Sequence, residues 1–248
     1  MTAVGDAYGQ LLLAEFTQGG AVEIVEREDG FIAASNFGPR IYLAPFRRWP
    51  AHERRAMRFV RGRVLDVGCG GGRVCLHLQG RGHEVVGIDV SPGAVDVCLM
   101  RGVKDARVLS IDDLDESLGV FDTIVMLGNN FGLVGGAKKA DRLLRRFRRI
   151  TGPDGRIIAA SRDVYATDDP AHVAYQKRNR ERGRLSGQIR MRVRFRDVAT
   201  PWFDYLMVSP AELAALAKPT GWTTGRVLEG EDAYIAVLEK LSGPSARG

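Results

Sequence analysis

A carboxylate and a cluster of glycines stand side by side near the end of the first quarter of the chain. Asp66 lies in the apolar run 63–67 and precedes the turn Gly68-Cys69-Gly70-Gly71-Gly72. Glycines permit positive φ and let a ligand approach the backbone closely. A dinucleotide fold seats a pyrophosphate in such a turn, and a carboxylate two residues before the first glycine would repel it. The pattern therefore predicts a cationic ligand without a phosphate group.

A second carboxylate, Asp89, ends the next apolar run at 84–88. An acid at the tip of the second strand is suited to accept hydrogen bonds from both hydroxyls of a ribose. Together the two acids predict an adenosine ligand that carries a positive centre and an amino-acid tail. The alternative is that Asp66 and Asp89 each cap the helix that follows.

Short β-branched runs alternate with helical stretches between residues 61 and 161, which is typical of a parallel sheet covered by helices. We predict its strands at 63–67, 84–88, 106–110, 121–127 and 156–161, the last entered through a turn at 152–155. Two closing strands, at 226–228 and 233–238, complete the sheet. The predicted fold is α/β, a Rossmann-like sheet of seven mostly parallel strands with helices on both faces.

The segments outside this core predict a cover. Residues 4–16 have an amphipathic helical pattern, and residues 21–35 predict a hairpin around Glu28-Asp29-Gly30. A β-rich insertion follows strand five, with a helix at 168–182 and strands at 188–198 and 203–208. We therefore divide the chain into an N-terminal helix and hairpin cap, 1–60, and a ligand-binding domain, 61–248, with the insertion at 165–208.

The stretch 64–127 resembles the class I SAM-dependent (S-adenosylmethionine) methyltransferases of the small-molecule type. Asp66 and the glycine turn match D-x-G-x-G-x-G, Gly87-Ile88-Asp89 matches the acidic motif, and 121–125 and 152–156 resemble the fourth strand and the turn into the fifth. The resemblance implies that SAM is bound and S-adenosyl-L-homocysteine released, with Asp66 and the glycines along the methionine part and Asp89 on the ribose. The cofactor-binding residues that we predict are Asp66, Gly68, Cys69, Gly70, Gly72, Asp89, Val90, Ile111, Asp112 and Leu127.

The chain departs from the family at the adenine contact. The acid expected there falls on Ser110. Asp112 or Asp113 is the replacement we predict, with the backbone of Ile111 beside it. Tyr42 or Arg40 is a further candidate, for the SAM carboxylate.

Candidates for the acceptor site follow the fourth and fifth strands, because ligands collect beyond the carboxyl ends of parallel strands. The predicted substrate contacts are Asn129, Asn130, Arg162, Tyr165 and Arg192. No catalytic motif stands out; Asn129, His172 and Tyr175 are the weak candidates. The alternatives are that Asn129 folds its loop and that His172 and Tyr175 lie on a solvated helix face.

Arginines alternate with apolar residues from Arg190 to Arg196, so a strand would carry them on one face. A lid that presents these arginines to an anionic acceptor is one interpretation, and a wet outer face is the other. The net charge is +6, concentrated in the basic segments 138–149 and 177–196. An RNA methyltransferase or RNA-binding protein is therefore an alternative function, although a basic patch without a recognition motif favours a small-molecule acceptor over nucleic acid.

A SAM-binding protein with chemistry other than methyl transfer is a second alternative. The three cysteines have no metal-ligand spacing, so we predict free thiols, no metal and a cytoplasmic protein without a membrane span. The sequence does not predict an oligomeric state.

Overall fold

The computed structural model describes residues 5–35, 37–231 and 233–241. The helices are α1 (Ala7–Thr17), α2 (Phe37–Tyr42), α3 (Ala51–Ala56), α4 (Arg73–Gln79), α5 (Pro92–Met100), α6 (Ala137–Arg149), α7 (Pro170–Glu181) and α8 (Pro210–Ala217). The strands are β1 (Glu23–Arg27), β2 (Ile32–Ser35), β3 (Val64–Val67), β4 (Val85–Asp89), β5 (Ala106–Val108), β6 (Phe121–Met126), β7 (Thr151–Ser161), β8 (Gln188–Phe195), β9 (Val198–Ala199), β10 (Phe203–Leu206), β11 (Trp222–Glu229) and β12 (Tyr234–Lys240).

Seven strands form the larger sheet in the order β11-β12-β7-β6-β3-β4-β5. The five strands from β7 to β5 are parallel to one another, β12 is antiparallel to them, and β11, which pairs antiparallel with β12, runs in their direction. Apolar side chains fill both faces of this sheet, as in Leu65 and Ile124 on one face and Val125 and Ile158 on the other, all fully buried. The predicted α/β fold with a mostly parallel seven-stranded sheet is confirmed.

One predicted turn lies inside a strand. Phe121 pairs with Thr151 and Thr123 pairs with Arg156, so the residues between the two β7 positions form an irregularity in the ladder. The strand predicted to begin at 156 therefore begins at Thr151. At the edges of the sheet, β5 is shorter than predicted and β11 is longer.

A second, smaller sheet has the order β10-β8-β1-β2, with β9 on β8. It joins the N-terminal hairpin to the insertion, because Ile24 pairs with Arg194 and Val25 with Val193. The smaller sheet thus contains strands from the predicted cap, 1–60, and from the insertion at 165–208 within the predicted domain 61–248. The boundary at residue 60 stays a prediction.

Alternation along the strands gives the smaller sheet two different faces. Residues that share a face across the ladder include Glu23, Val25, Val193 and Tyr205 on one side. We call this the inner face, because Met191, Val193 and Phe195 on it are buried. The outer face carries Glu26, Arg190, Arg192, Arg194 and Asp204.

The N-terminal helix is fixed to the larger domain by Asp6. Its carboxylate accepts from the backbone of Gly9, from the Ser91 hydroxyl at 2.7 Å and from the Gly93 amide at 2.8 Å. Gly9 and Gly93 let α1 and α5 touch, since a Cβ on Gly9 would lie 2.7 Å from the Gly93 Cα. This contact places Tyr8 above the glycine turn. No helix in the described ranges has both the length and the apolar character needed to cross a membrane.

Candidate active site

A small cavity opens at the carboxyl ends of β3 and β6. The residues that line it are Tyr8, Tyr42, Asp66, Gly68, Cys69, Gly70, Gly71, Arg73, Val74, Leu127, Gly128 and Asn130. The glycine turn therefore forms the floor, and two tyrosines from the N-terminal region, on α1 and α2, cover it.

The glycine turn requires its glycines. Gly68 and Gly72 have φ of 69° and 76°, and a Cβ on them would lie 2.6 Å from the Asn130 amide nitrogen and 2.7 Å from Val103. The backbone N–H groups of Gly68 and Cys69 both donate to the Ile88 carbonyl at 2.9 Å. The turn is thus held against β4, with its open side towards the cavity.

Asp66 lines this cavity as a buried carboxylate, 2% exposed. The Cys75 thiol, at 3.2 Å, is the hydrogen-bond donor that the structure describes for it. Burial raises its pKa to about 7. Asp66 is not the cap of α4, because Gly72 occupies that position. An acid in this state fits the ammonium group of an amino-acid ligand, which would supply the missing positive charge.

Asp89 is also buried, and its two oxygens accept from the Gly70 and Ser91 amides, each at 2.9 Å. Burial raises its pKa. The cap of α5 is the Ser91 hydroxyl, which accepts from Ala94, so Asp89 is not that cap. Each carboxylate oxygen retains acceptor capacity for a second donor, such as a ribose hydroxyl.

The predicted adenine contacts lie apart from the described cavity lining. Ser110 accepts from the Asp112 amide at 3.1 Å and caps a short 3-10 helix. The Asp112 carboxylate pairs with Lys139 at 2.6 Å and with Arg142 at 3.0 Å. Ile111 is packed into the core. The roles predicted for Asp112 and Ile111 stay predictions, as does that of Val90, which is 72% exposed.

Asn130 reaches the cavity, but its amide nitrogen is committed to the glycine turn. It donates to the Val67 carbonyl at 2.9 Å and to the Gly68 carbonyl at 2.7 Å. Asn129 takes a left-handed conformation, φ 73°, and its carbonyl accepts from the Tyr205 hydroxyl at 2.6 Å. Its side-chain oxygen is buried without a described partner. Asn129 therefore shapes its loop, as one interpretation held, and its contact with substrate stays a prediction.

Arg162 and Tyr165 follow β7, and both are exposed. The Tyr165 hydroxyl donates to Glu212 at 2.8 Å, next to the start of α8. His172 lies 3.1 Å from the Arg27 guanidinium, and the Tyr175 hydroxyl donates to Glu28 at 3.0 Å. These last contacts fasten α7 to the turn of the N-terminal hairpin. None of these candidates lines the described cavity, so their predicted roles lack support there.

The arginines of β8 lie on the outer face. Arg192 and Arg194 pair with Glu26 at 2.8 Å and 3.3 Å, and Arg190 pairs with Asp204 at 3.4 Å. Arg192 also stacks on Trp202. The structure thus does not bring Arg192 to the cavity. The other basic segment shows similar pairing, since Arg145 and Arg149 contact Asp141 and Glu116.

Several residues around the cavity were not predicted from the sequence to lie at a ligand site. Tyr8 lies within the amphipathic pattern of residues 4–16 and Arg73 directly follows the glycine turn, and neither position by itself indicates a ligand contact. Arg73 forms a buried bidentate pair with Glu53, at 2.6 Å and 2.9 Å. Tyr42, proposed for the SAM carboxylate, does line the cavity, whereas Arg40 is exposed. The Tyr42 hydroxyl lies 3.3 Å from Glu23, a residue for which we had predicted no role.

Known proteins share this fold and parts of this sequence. Residues 64–155 match a family described as a methyltransferase domain. A SAM-dependent methyltransferase from Bacteroides fragilis, in complex with S-adenosyl-L-homocysteine, aligns with a TM-score of 0.81 and 28% identity over 97% of this chain and 99% of that one. A ubiquinone biosynthesis O-methyltransferase from Xanthomonas oryzae is 30% identical over 105 residues, which are 40% of this chain and 42% of that protein.

A magnesium-protoporphyrin O-methyltransferase from Rhodobacter capsulatus is 36% identical over 69 residues, 26% of this chain and 31% of that protein. The chain matches less than half the length of these curated relatives. The fold, the glycine turn with its two acids, and the similarity over almost the whole B. fragilis chain agree with one another. Residues 64–155 thus carry a methyltransferase domain, and the chain has the fold of the class I SAM-dependent methyltransferases.

Proposed function

We propose that the protein binds SAM in the cavity above the glycine turn and transfers its methyl group to a small-molecule acceptor. The observation that carries this proposal is the buried Asp66 carboxylate, which lines the cavity beside a glycine turn held by Asp89. The SAM ammonium would face Asp66 and the ribose would face Asp89. The names of the O-methyltransferase relatives support a small-molecule acceptor.

The transfer is a direct displacement. A nucleophile on the acceptor forms a bond to the methyl carbon while the bond from that carbon to the sulfonium sulfur breaks, which leaves S-adenosyl-L-homocysteine. Because the sulfonium already activates the methyl group, the protein mainly aligns and desolvates the two reactants. The cover over the cavity, with Tyr8 and Tyr42, serves that purpose.

An anionic acceptor lacks support from the arginines of β8, because their guanidinium groups pair with acids on the outer face. The same pairing removes the main argument for RNA as the acceptor. We place the reaction in the cytoplasm, since three free, buried thiols suit a reducing compartment.

Calorimetry with SAM, S-adenosyl-L-homocysteine and NAD tests the cofactor. We expect the first two to bind and NAD not to bind, since the acid beside the turn repels a pyrophosphate. Asp89→Ala should weaken SAM binding by about 2–4 kcal/mol, because hydrogen bonds from the ribose to a charged group are lost. Asp105→Ala is the matched control, an exposed acid paired with Arg107. Binding of NAD and not of SAM would refute the proposal.

The acceptor class is tested by a screen of small metabolites for release of S-adenosyl-L-homocysteine from SAM. Analysis of the products by mass spectrometry distinguishes methyl transfer from other SAM chemistry. Turnover of SAM into a product other than S-adenosyl-L-homocysteine would replace methyl transfer with the alternative chemistry.

A further inference from the structure

A carboxylate and a phenol meet at the cover of the cavity. Tyr42 ends α2 and lines the cavity, and its hydroxyl donates to the Glu23 Oε2 at 3.3 Å. Glu23 begins β1 and belongs to the inner face of the smaller sheet. The pair thus extends from the cavity, through one hydroxyl group, to a carboxylate behind it.

The backbone of α2 closes over this pair. A Cβ on Gly38 would lie 2.6 Å from the Glu23 Oε2 and 3.2 Å from the Tyr42 hydroxyl. Water is therefore largely kept from one side of the carboxylate. Burial raises the pKa of Glu23 and raises that of Tyr42 well above its ordinary value. The carboxylate is consequently a better proton acceptor than an exposed glutamate, and the phenol stays protonated.

The basic side chains near the Tyr42–Glu23 pair form ion pairs with other acids or are exposed to solvent. Arg73 is held by its bidentate pair with Glu53. Arg192 and Arg194 pair with Glu26 on the outer face of the sheet. Arg162 follows β7 and is exposed. It lowers the pKa of the nearby Tyr205, but burial raises that pKa by more. No ion pair between Glu23 and a basic side chain occurs within the described ranges.

The remaining polar neighbours of the pair are tyrosines. Tyr8 covers the cavity from α1, with its ring centroid 5.8 Å from that of Tyr42. Tyr205, on the inner face, raises the pKa of Tyr42 further, after burial and Glu23. Asp66 lines the same cavity from β3. The pair therefore faces phenols, one more acid and a single cation, Arg73, which slightly opposes the rise in the pKa of Tyr42 but is paired with Glu53.

We propose that Tyr42 and Glu23 together accept the proton of the acceptor's reacting group, which is a hydroxyl or an ammonium group. This inference rests on the proposed function. A hydroxyl gives its proton to the Tyr42 oxygen as its own oxygen bonds to the methyl carbon, whereas an ammonium group gives up its proton first and the freed lone pair of the amine then attacks. In both cases the Tyr42 proton passes to the Glu23 carboxylate. The carbon–sulfur bond breaks as the new bond forms, which leaves S-adenosyl-L-homocysteine, the methylated acceptor and a protonated Glu23. Glu23 then returns its proton to solvent.

A specificity follows from this arrangement. Tyr42 is the catalytic residue, since it would touch the reacting group, and Glu23 is a positioning residue that acts through it. A carboxylate as the reacting group has no proton to give, and the Glu23 charge repels it. A cationic ammonium group is attracted by that charge and by the faces of Tyr8 and Tyr42. The reacting end of the acceptor is thus neutral or cationic.

The hydrogen bond is tested without an acceptor by placing 3-fluorotyrosine at position 42. Its ¹⁹F resonance should shift as Glu23 ionises, with a midpoint above the ordinary glutamate pKa of about 4.3. Glu23→Gln in the same labelled protein should remove this titration. Because Asp66 titrates in the same cavity, any shift that persists in Glu23→Gln belongs to other groups. A titration that is identical in the two proteins overturns the pairing.

The specificity is tested by three probes with one ring and different reacting groups, benzylamine, benzyl alcohol and benzoate. Saturation-transfer NMR measures their binding to the protein loaded with S-adenosyl-L-homocysteine. We expect benzoate to bind most weakly, and Glu23→Gln to reduce the preference for benzylamine over benzoate by about tenfold or more. The matched control is Glu26→Gln, which removes an acid from the same strand on the outer face and should leave the preference unchanged.

SAM calorimetry on the same variants separates this inference from the proposed function. Glu23→Gln should keep SAM affinity within about threefold, since Glu23 lies behind Tyr42 and does not line the cavity. A much larger loss assigns the pair to SAM itself and overturns the inference alone. Strongest binding of benzoate, an unchanged probe preference in Glu23→Gln, or no probe binding at all also overturns it. Failure of the unaltered protein to bind SAM overturns the proposed function as well.

Discussion

The two sheets build their ligand-facing surfaces in different ways. In the larger sheet, Asp66, the glycine turn and Asp89 come from two adjacent strands and the loops that directly follow them. In the smaller sheet, Glu23 and Tyr205 share a face although β1 and β10 lie near opposite ends of the chain. We call the side of the site built by the glycine turn the cofactor half, and the side built by the smaller sheet, which we propose to face the acceptor, the acceptor half. The first depends on residues close together in the sequence, and the second on long-range strand pairing.

A buried ion pair joins α3 to the helix that follows the glycine turn, and breaking it should have the largest effect. Glu53 on α3 holds Arg73 on α4, and both side chains are 6% exposed. Glu53→Gln leaves a buried guanidinium without its counter-charge, so we expect the free energy of unfolding to fall by about 3–5 kcal/mol. Denaturant unfolding measures this.

The matched control for that variant is Glu84→Gln. Glu84 pairs with Arg63, but its side chain is 69% exposed. An exposed pair contributes about 0–1 kcal/mol, so this variant should remain close to the unaltered protein. Equal losses in the two variants would mean that the Arg73–Glu53 pair does not fasten the N-terminal region to the glycine turn.

The difference between the halves also explains which features could be predicted from the sequence. The glycine turn depends on neighbours a few residues away, so a local pattern predicted it. Both pieces of the smaller sheet were predicted as strands, but their pairing was not. Pairing between β1 and β8 depends on contacts across most of the chain, and such contacts leave no mark in a local pattern.

The residues on the proposed acceptor side were harder to predict from the sequence for a second physical reason. An alternating strand shows that the arginines of β8 share a face, but not which face turns inward. That choice is made by Met191, Val193 and Phe195, which are buried, so the arginines point away from the core. Likewise, the sequence shows Glu23 only as an acid in a strand, and the structure shows that Gly38 and Tyr42 cover it. Burial is a tertiary property, and it is burial that raises the pKa of Glu23.

Asp66 gives the next largest effect, through pH. Its pKa is raised by burial to about 7, from an ordinary value of about 3.9. Between these two values the unfolded chain releases the proton while the folded protein keeps it, so the contribution of Asp66 to stability falls as pH rises and levels off above about pH 7. Asp66→Asn should remove this pH dependence of the free energy of unfolding, which amounts to about 4 kcal/mol over the whole interval.

Unfolding at several pH values between about 5 and 8 measures the difference between the unaltered protein and Asp66→Asn. We expect the variant to gain stability over the unaltered protein as pH rises. SAM should make the unaltered protein lose less stability as pH rises, because its ammonium group would stabilise the ionised Asp66 carboxylate. A difference that does not change with pH would show that Asp66 is already ionised in the folded protein and that burial does not raise its pKa.

The smallest expected effect belongs to the outer face of the smaller sheet, where the sequence suggested an arginine lid. Replacing Arg190, Arg192 and Arg194 together with Gln keeps much of the side-chain length and removes the charge. Because these guanidinium groups pair with Glu26 and Asp204 away from the cavity, SAM affinity and the probe preference should stay within about twofold of the unaltered protein. Calorimetry and the benzylamine and benzoate probes measure both quantities. A marked gain in benzylamine binding, or loss of benzoate binding, would bring the arginines back to the acceptor and make the outer face, rather than Glu23, the source of charge selection.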